Sequence, residues 1–232
     1  MQSTRKNLSP RLALHVLVDP EWSCGRDIAT VARAAIDGGA TVIQLRDKKA
    51  STRILVEQGL ALRRLTRARG VLFIVNDRVD VALAVDADGV HLGQDDDMPL
   101  QIARRLIGPE RILGISAGNQ DEAVAAIAAD ADYLSVGPIF STYAKPDAGV
   151  AIGTRLLAEL VTRYSTPIIG IGGITVKNVG ELLHAGASGV AVITAVIRAD
   201  DIIAATRQLT AEMSHARVLL APQDSAFEDK KI

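Results

Sequence analysis

The sequence predicts an α/β protein, a (β/α)8 TIM barrel built as a single domain. Three observations carry this expectation. Short apolar runs of strand type alternate with stretches of helical periodicity along the chain, eight of each, the pattern of a parallel α/β fold. The residues leading into strands two, four, six and eight resemble one another: Ala40-Thr41-Val42, Ala87-Asp88-Gly89-Val90, Ala131-Asp132-Tyr133-Leu134 and Ala187-Ser188-Gly189-Val190. The ends of strands five and seven are also alike, Ile112-Leu113-Gly114-Ile115-Ser116 against Ile168-Ile169-Gly170-Ile171-Gly172. Quarter-like units of this kind fit a closed eightfold barrel better than an open sheet. Finally, the first βα turn lacks GxGxxG, which leaves a dinucleotide-binding reading weak.

Composition narrows the function classes. At 232 residues the chain is long enough for one substantial core, and 48% apolar content excludes a disordered chain. A net charge of −1 argues against nucleic-acid partners and against a polybasic membrane surface. One cysteine, Cys24, rules out an internal disulfide framework. No run reaches the ~18 apolar residues of a membrane span, and MQSTRKNLSP lacks the apolar core of a signal peptide. A cytoplasmic protein acting on small molecules is expected, and a homo-oligomer is compatible with the sequence.

The elements follow in order. Residues 1–10 are polar up to Pro10 and are expected to form a loose arm. Leu12–Val18 is the first strand, ending at Asp19-Pro20. Apolar residues at 28, 31, 32, 35 and 36 give the stripe of a helix over Asp27–Asp37, stopped by Gly38-Gly39. Thr41–Leu45 is the second strand. Ser51 is placed to cap a helix whose face includes Ile54, Leu55, Leu62 and Leu65. Leu72–Val75 and Gly89–Leu92 are strands three and four, joined by a short helix over 79–85. Pro99 sits near the start of a helix running to Ile107. Arg111–Ile115 is strand five, and Asn119 with Glu122 has capping-box spacing ahead of the next helix. Tyr133–Val136 is strand six, followed by a long polar loop over 137–153 and a helix marked by Leu156, Leu157, Leu160 and Val161. Ile168–Ile171 is strand seven, closed by Gly172-Gly173. Thr175 is placed to cap a helix containing Val179, Leu182 and Leu183. Gly189–Ile193 is strand eight, and Ile202–Met213 the last helix. The barrel domain is bounded at 11–220, with a polar tail over 221–232.

In such a barrel the active site lies at the carboxyl ends of the strands. The polar residues there are Gln44, Arg46, Lys48, Asn76, Asp77, Asp96, Ser116, Thr142 and Lys145, with the Gly172-Gly173 turn. Carboxylates with few nitrogen or sulfur ligands suit Mg²⁺, which shares its shell with substrate phosphates. The cations suit phosphate oxygens, arginine as a fork and lysine as a point charge. Gly172-Gly173 and Ile193-Thr194 fall where barrels often bind a phosphate. The mouth is thus expected to hold a diphosphate near strands two to six and a monophosphate near strands seven and eight.

Each piece alone has a plainer reading. Gln44–Lys48 is a solvated strand end. Asp77 pairs with Arg78 or caps the following helix. Asp95-Asp96-Asp97 is an acid cluster favoured by a helix dipole, and spacing does not choose among the three. Lys145 is an exposed lysine, and the glycine pair a tight turn. His15, His91 and His184 read as buried, satisfied histidines. Convergence on one barrel mouth is what favours function.

The motifs QLRDK (44–48), VNDRVDVALAVDADGVHLGQDD (75–96), GIS (114–116), GPIFST (137–142) with KP (145–146), GIGGIT (170–175) and GVAVIT (189–194) resemble the thiamine-phosphate synthase family. That resemblance implies joining of hydroxymethylpyrimidine diphosphate to thiazole phosphate, with release of pyrophosphate. It implies that Gln44, Arg46, Lys48, Asn76, Ser116 and Lys145 hold the pyrimidine diphosphate. Asp77 and Asp96 would hold Mg²⁺, and Thr142, Gly173, Ile193 and Thr194 the thiazole phosphate. The sequence departs from the family in three places. Ala144 stands where the phosphate loop often has Thr or Ser, Thr194 replaces a more usual Ser, and LVDP replaces LVTD near the start. Two further readings stay open. A thiazole tautomerase shares the barrel and phosphate cup but has no diphosphate for Arg46 and Lys48 to hold. A non-catalytic thiamine-phosphate-binding regulator has Ala144 as its support.

Overall fold

The computed structural model describes residues 5, 7–93, 98–144 and 149–220. Its strands are β1 (Leu14–Val18), β2 (Val42–Leu45), β3 (Leu72–Asn76), β4 (Gly89–Leu92), β5 (Ile112–Ala117), β6 (Tyr133–Val136), β7 (Ile168–Ile171) and β8 (Gly189–Val192). They pair in sequence order, and β8 closes on β1 in parallel, giving the (β/α)8 barrel. The helices are α1 (Ile28–Asp37), α2 (Thr52–Arg69), α3 (Val79–Ala84), α4 (Leu100–Ile107), α5 (Gln120–Ala128), α6 (Arg155–Arg163), α7 (Val179–His184), α8 (Thr194–Ile197) and α9 (Ile202–Leu220). No described helix is long and apolar enough to cross a membrane.

Side chains alternate along each strand, and this period of two divides the core. Val16, Ile43, Phe73, Val75, Leu113, Leu134 and Val190 face outward and pack under the helices. Leu17, Val42, Leu72, Ile74, Ile112, Tyr133, Ile169 and Ala191 fill the interior. Followed toward the carboxyl ends, the inward parity runs through 44 in β2 and 46 and 48 after it, 76 in β3, 91 in β4, 116 in β5, 173 after β7 and 193 after β8. The same alternation that fills the barrel floor therefore aims the functional row at the mouth.

The fourfold repeat acquires a physical cause. Before each even-numbered strand, one residue donates its N–H to the preceding strand: Thr41 to Leu14, Asp88 to Phe73, Asp132 to Leu113 and Ser188 to Ile168, at 2.8–3.0 Å. In three of the four its side chain also accepts the N–H of that partner. Leu14 N donates to Thr41 Oγ1 at 2.9 Å, Phe73 N to Asp88 Oδ2 at 2.8 Å and Leu113 N to Asp132 Oδ2 at 2.8 Å. A short polar side chain at these positions ties off the amino end of each strand pair.

The helix ends follow local chemistry. Asp27 accepts from Thr30 N at 2.9 Å, and Ser51 accepts from Ile54 N at 3.4 Å. Asn119 accepts from Glu122 N at 3.0 Å, while the Glu122 carboxylate takes Gly118 N at 2.6 Å, a capping box displaced by one residue. Three expectations need correction. Thr175 does not cap α7. The helix starts four residues later, and Asn178 folds back to accept from Thr175 N at 2.7 Å and donate to Gly173 O at 3.0 Å. The single-turn α8 was not foreseen, and the last helix runs on to Leu220. The loose arm expected over residues 1–10 is anchored where it is described. Arg5 pairs with Asp130 and Asp132, Leu8 is buried against the barrel floor, and Ser9–Leu12 forms a 3-10 turn. The tail over 221–232 lies outside the described residues.

Candidate active site

The strand ends open into a cleft of about 580 Å³. Gln44, Arg46, Lys48, Asn76, Asp77 and Ser116 line one side, and Thr142, Gly173, Ile193 and Thr194 line the other. The structure thus brings together ten of the twelve residues expected at the site; Asp96 and Lys145 lie outside the described residues.

On the first side the cations and carboxylates are already matched. Arg46 is clamped by Asp19, whose side chain is only 3% exposed, and Asp19 also caps Glu21 N at 2.9 Å. Lys48 pairs with Asp77. Neither plain reading of Asp77 holds, because Arg78 bonds Asp80 and Thr52 instead, and α3 has no side-chain cap. Asp77 sits in the left-handed region at φ 63°, and its N–H donates to His91 O at 2.8 Å. Nor is 44–48 a plain solvated strand end. Asp47 and Lys49, on the outward parity, turn away, Asp47 accepting from Lys49 N and Ala50 N and Lys49 pairing with Glu21. Gln44 is 3% exposed, and its side-chain oxygen has no partner, leaving a buried acceptor at the cleft wall.

The second side is built from backbone. At Gly173 φ is 64°, and a Cβ would stand 2.5 Å from Ser141 O, so only glycine lets the loop after β6 lie on the turn after β7. Thr142 Oγ1 accepts from Ala144 N at 3.2 Å, a local turn that keeps the hydroxyl at the cleft. Helix α8 opens at Ile193-Thr194 without a side-chain cap, so its first N–H groups carry positive partial charge there. Tyr143 is braced outside by the edge of Trp22, ring centres 5.7 Å apart, and by Arg198, which also lies over Trp22.

The three histidines divide. His184 is exposed, bonding Gly180 O at 2.7 Å. His91 is buried and satisfied, but its partner Ser116 belongs to the cleft. His15 is fully buried inside the barrel with both ring nitrogens unpartnered, its edge against Tyr133 at 5.3 Å. Burial, reinforced by the proximity of His91, pushes the His15 pKa down from 6.5 to about 3. The unfolded chain takes up this proton below pH 6.5 and the folded protein does not. Stability is therefore full above that pH and falls with acidification toward pH 3, by about 1.4 kcal/mol per unit from this residue. Urea midpoints across that range are expected to show the slope, and His15→Leu to flatten it. An unchanged slope in the variant would remove His15 as the cause.

Comparison with known proteins gives the family. A family profile described as thiamine monophosphate synthase covers residues 14–196. The chain belongs to that family. The thiamine-phosphate synthase of Chloroflexus aurantiacus is 56% identical over 201 residues, covering 87% of this chain and 92% of that protein. The one from Moorella thermoacetica is 50% identical, covering 90% and 99%. A solved structure of thiamine phosphate pyrophosphorylase from Pyrococcus furiosus superposes with a TM-score of 0.83 at 43% identity, over 90% of this chain and 99% of that one. Family membership makes the protein an enzyme, a transferase of thiamine biosynthesis. His91 and Ser135 line the cleft and were missed, although both lie on the inward strand parity. Asp19 and Asn178 were missed as supports, bracing Arg46 and the Gly173 turn from outside the lining.

Proposed function

We propose that the chain joins 4-amino-2-methyl-5-hydroxymethylpyrimidine diphosphate to 4-methyl-5-(2-phosphoethyl)thiazole, giving thiamine monophosphate and pyrophosphate. The observation that carries this reading is one cleft with two unlike sides, Arg46 and Lys48 after β2 beside the polar groups of β3–β5 on one, and the largely backbone-lined loops after β6–β8 on the other. Arg46 and Lys48 would take diphosphate oxygens, with Asn76 and Ser116 as neutral donors. The orphaned Gln44 oxygen suits the exocyclic amine of the pyrimidine. Lys145 joins this group by family resemblance. Thr142, Gly173, Ile193 and Thr194 would hold the thiazole phosphate through hydroxyls and backbone N–H groups.

The chemistry asks for no strong nucleophile on the protein. The bond between the pyrimidine methylene carbon and the diphosphate oxygen breaks, its electron pair leaving with pyrophosphate. The thiazole ring nitrogen then gives its lone pair to that carbon. Fixed cations beside the departing oxygens stabilise the charge that develops there. Mg²⁺ fits the donor set. Among the described residues no three acidic, His or Cys side chains form a metal cage, but Mg²⁺ needs only one or two carboxylates plus substrate phosphates. Asp77 supplies one such carboxylate at the cleft, and Asp96 is the second by family resemblance. When bound, the ion would neutralise the diphosphate and improve it as a leaving group. Lys48, paired with Asp77 in this structure, would then be released toward phosphate oxygens.

Calorimetric titration with pyrophosphate in Mg²⁺ and with the thiazole phosphate, singly and together, tests the two-sided cleft. Both are expected to bind at once. Arg46→Met is expected to weaken pyrophosphate binding about tenfold or more and Thr194→Ala only the thiazole phosphate. Mutual exclusion of the two ligands would sink the reading. A tautomerase would show no affinity for pyrophosphate.

A further inference from the structure

Behind Ser116, three inward-facing positions lie side by side: His91 on β4 is in register with Gly114 on β5, which is in register with Tyr133 on β6. Gly114 is the gap through which the outer two meet. A Cβ there would stand 2.1 Å from Tyr133 Cζ and 2.3 Å from its hydroxyl, so any other residue would evict the ring. Across this gap the Tyr133 hydroxyl meets His91 Nδ1 at 2.9 Å, and the two rings stack with centres 5.5 Å apart. On the other edge of the imidazole, Nε2 meets Ser116 Oγ at 3.0 Å. Ser116 stands two residues beyond Gly114 on β5, at the level of the cleft.

We propose that Tyr133 and His91 are positioning residues that fix the direction of the Ser116 hydroxyl, turning its proton toward the substrate. This rests on the placement of Ser116 in the pyrimidine-diphosphate half of the site. Tyr133 is fully buried, and burial together with Asp132 raises its pKa, so the phenol keeps its proton. A buried O–H is costly without an acceptor, and Nδ1 is the ring nitrogen in reach. With Nδ1 accepting, the neutral imidazole carries its proton on Nε2 and donates it to Ser116 Oγ. A serine oxygen that accepts from the core side sends its own proton away from His91. The relay makes Ser116 a donor of set direction, where a free hydroxyl would rotate.

Two measurements test this. In ¹⁵N-histidine-labelled wild-type protein, with His91 assigned by a His91→Gln variant, the His91 shifts are expected to be those of the neutral Nε2–H tautomer. The Nδ1–H tautomer would overturn the relay whatever the enzyme does. The second is a double-mutant cycle on pyrophosphate release. Tyr133→Phe is expected to lower kcat by about tenfold with little change in melting temperature, and Ser116→Ala by at least as much. Because Tyr133 acts through Ser116, the double variant is expected to be no slower than Ser116→Ala alone. Multiplying losses, or a folded Tyr133→Phe enzyme with unchanged kcat, would overturn it. A wild-type protein with no turnover would count against the proposed function, leaving the tautomer measurement to decide the relay separately.

Discussion

Asp77→Asn is expected to cut turnover about 100-fold or more while leaving the fold intact. Asparagine tolerates the left-handed backbone at this position at least as well as aspartate, so the substitution removes charge and little else. What it removes is the partner of Lys48 at the cleft and the carboxylate proposed to take Mg²⁺. The Mg²⁺ concentration giving half-maximal rate is expected to rise, and the melting temperature to stay close to that of the wild type. Normal turnover with unchanged Mg²⁺ dependence would take Asp77 out of the site.

Asp132→Ala is expected to be clearly destabilising, costing about 2–3 kcal/mol, the scale of a lost charged hydrogen bond and an orphaned buried N–H. The side chain is 6% exposed and accepts from Leu113 N, Arg104 and Arg5. Truncation takes from Arg5 and Arg104 the more buried of the two carboxylates they share, Asp130 remaining, and leaves a strand N–H without its tie. For a chain of this size that corresponds to a loss of Tm on the order of 10 °C. Ser188 occupies the matching position before β8 but has no such side-chain tie to Ile168, and Ser188→Ala is expected to stay within about 0.5–1 kcal/mol. Thermal melts of the two variants side by side check the contrast. Equal losses would mean that the repeat position matters for some reason other than the side-chain tie.

The barrel was legible because its signals are local. Alternation of strand and helix periods, and the repeated residues before the even strands, are properties of neighbouring positions. The gathering of candidate residues at one cleft was legible for the same reason, since Gln44 lies in β2 and Arg46 and Lys48 directly follow its carboxyl end. What escaped depends on lateral neighbours set by strand register, which sequence periodicity does not carry. Asp77 meets Lys48, not the adjacent Arg78. Asp19, the departure LVDP, meets Arg46 from the next strand. His91 looked like an ordinary core histidine because the bond to Ser116 and the gap at Gly114 exist only once β4, β5 and β6 are aligned. Thr175 does not cap α7 because the helix begins only at Val179, and the side chain of Asn178 just ahead of it is spent on stapling the glycine turn after β7, leaving α7 with no side-chain cap.

The most direct test of the central claim is a ³¹P NMR time course with both substrates and Mg²⁺ present. Thiamine monophosphate and pyrophosphate are expected to appear in equal amounts, and neither to form when the thiazole phosphate or the protein is left out. Binding of thiamine monophosphate with no pyrophosphate released from the complete mixture would contradict it and leave a phosphate-binding barrel without transferase activity.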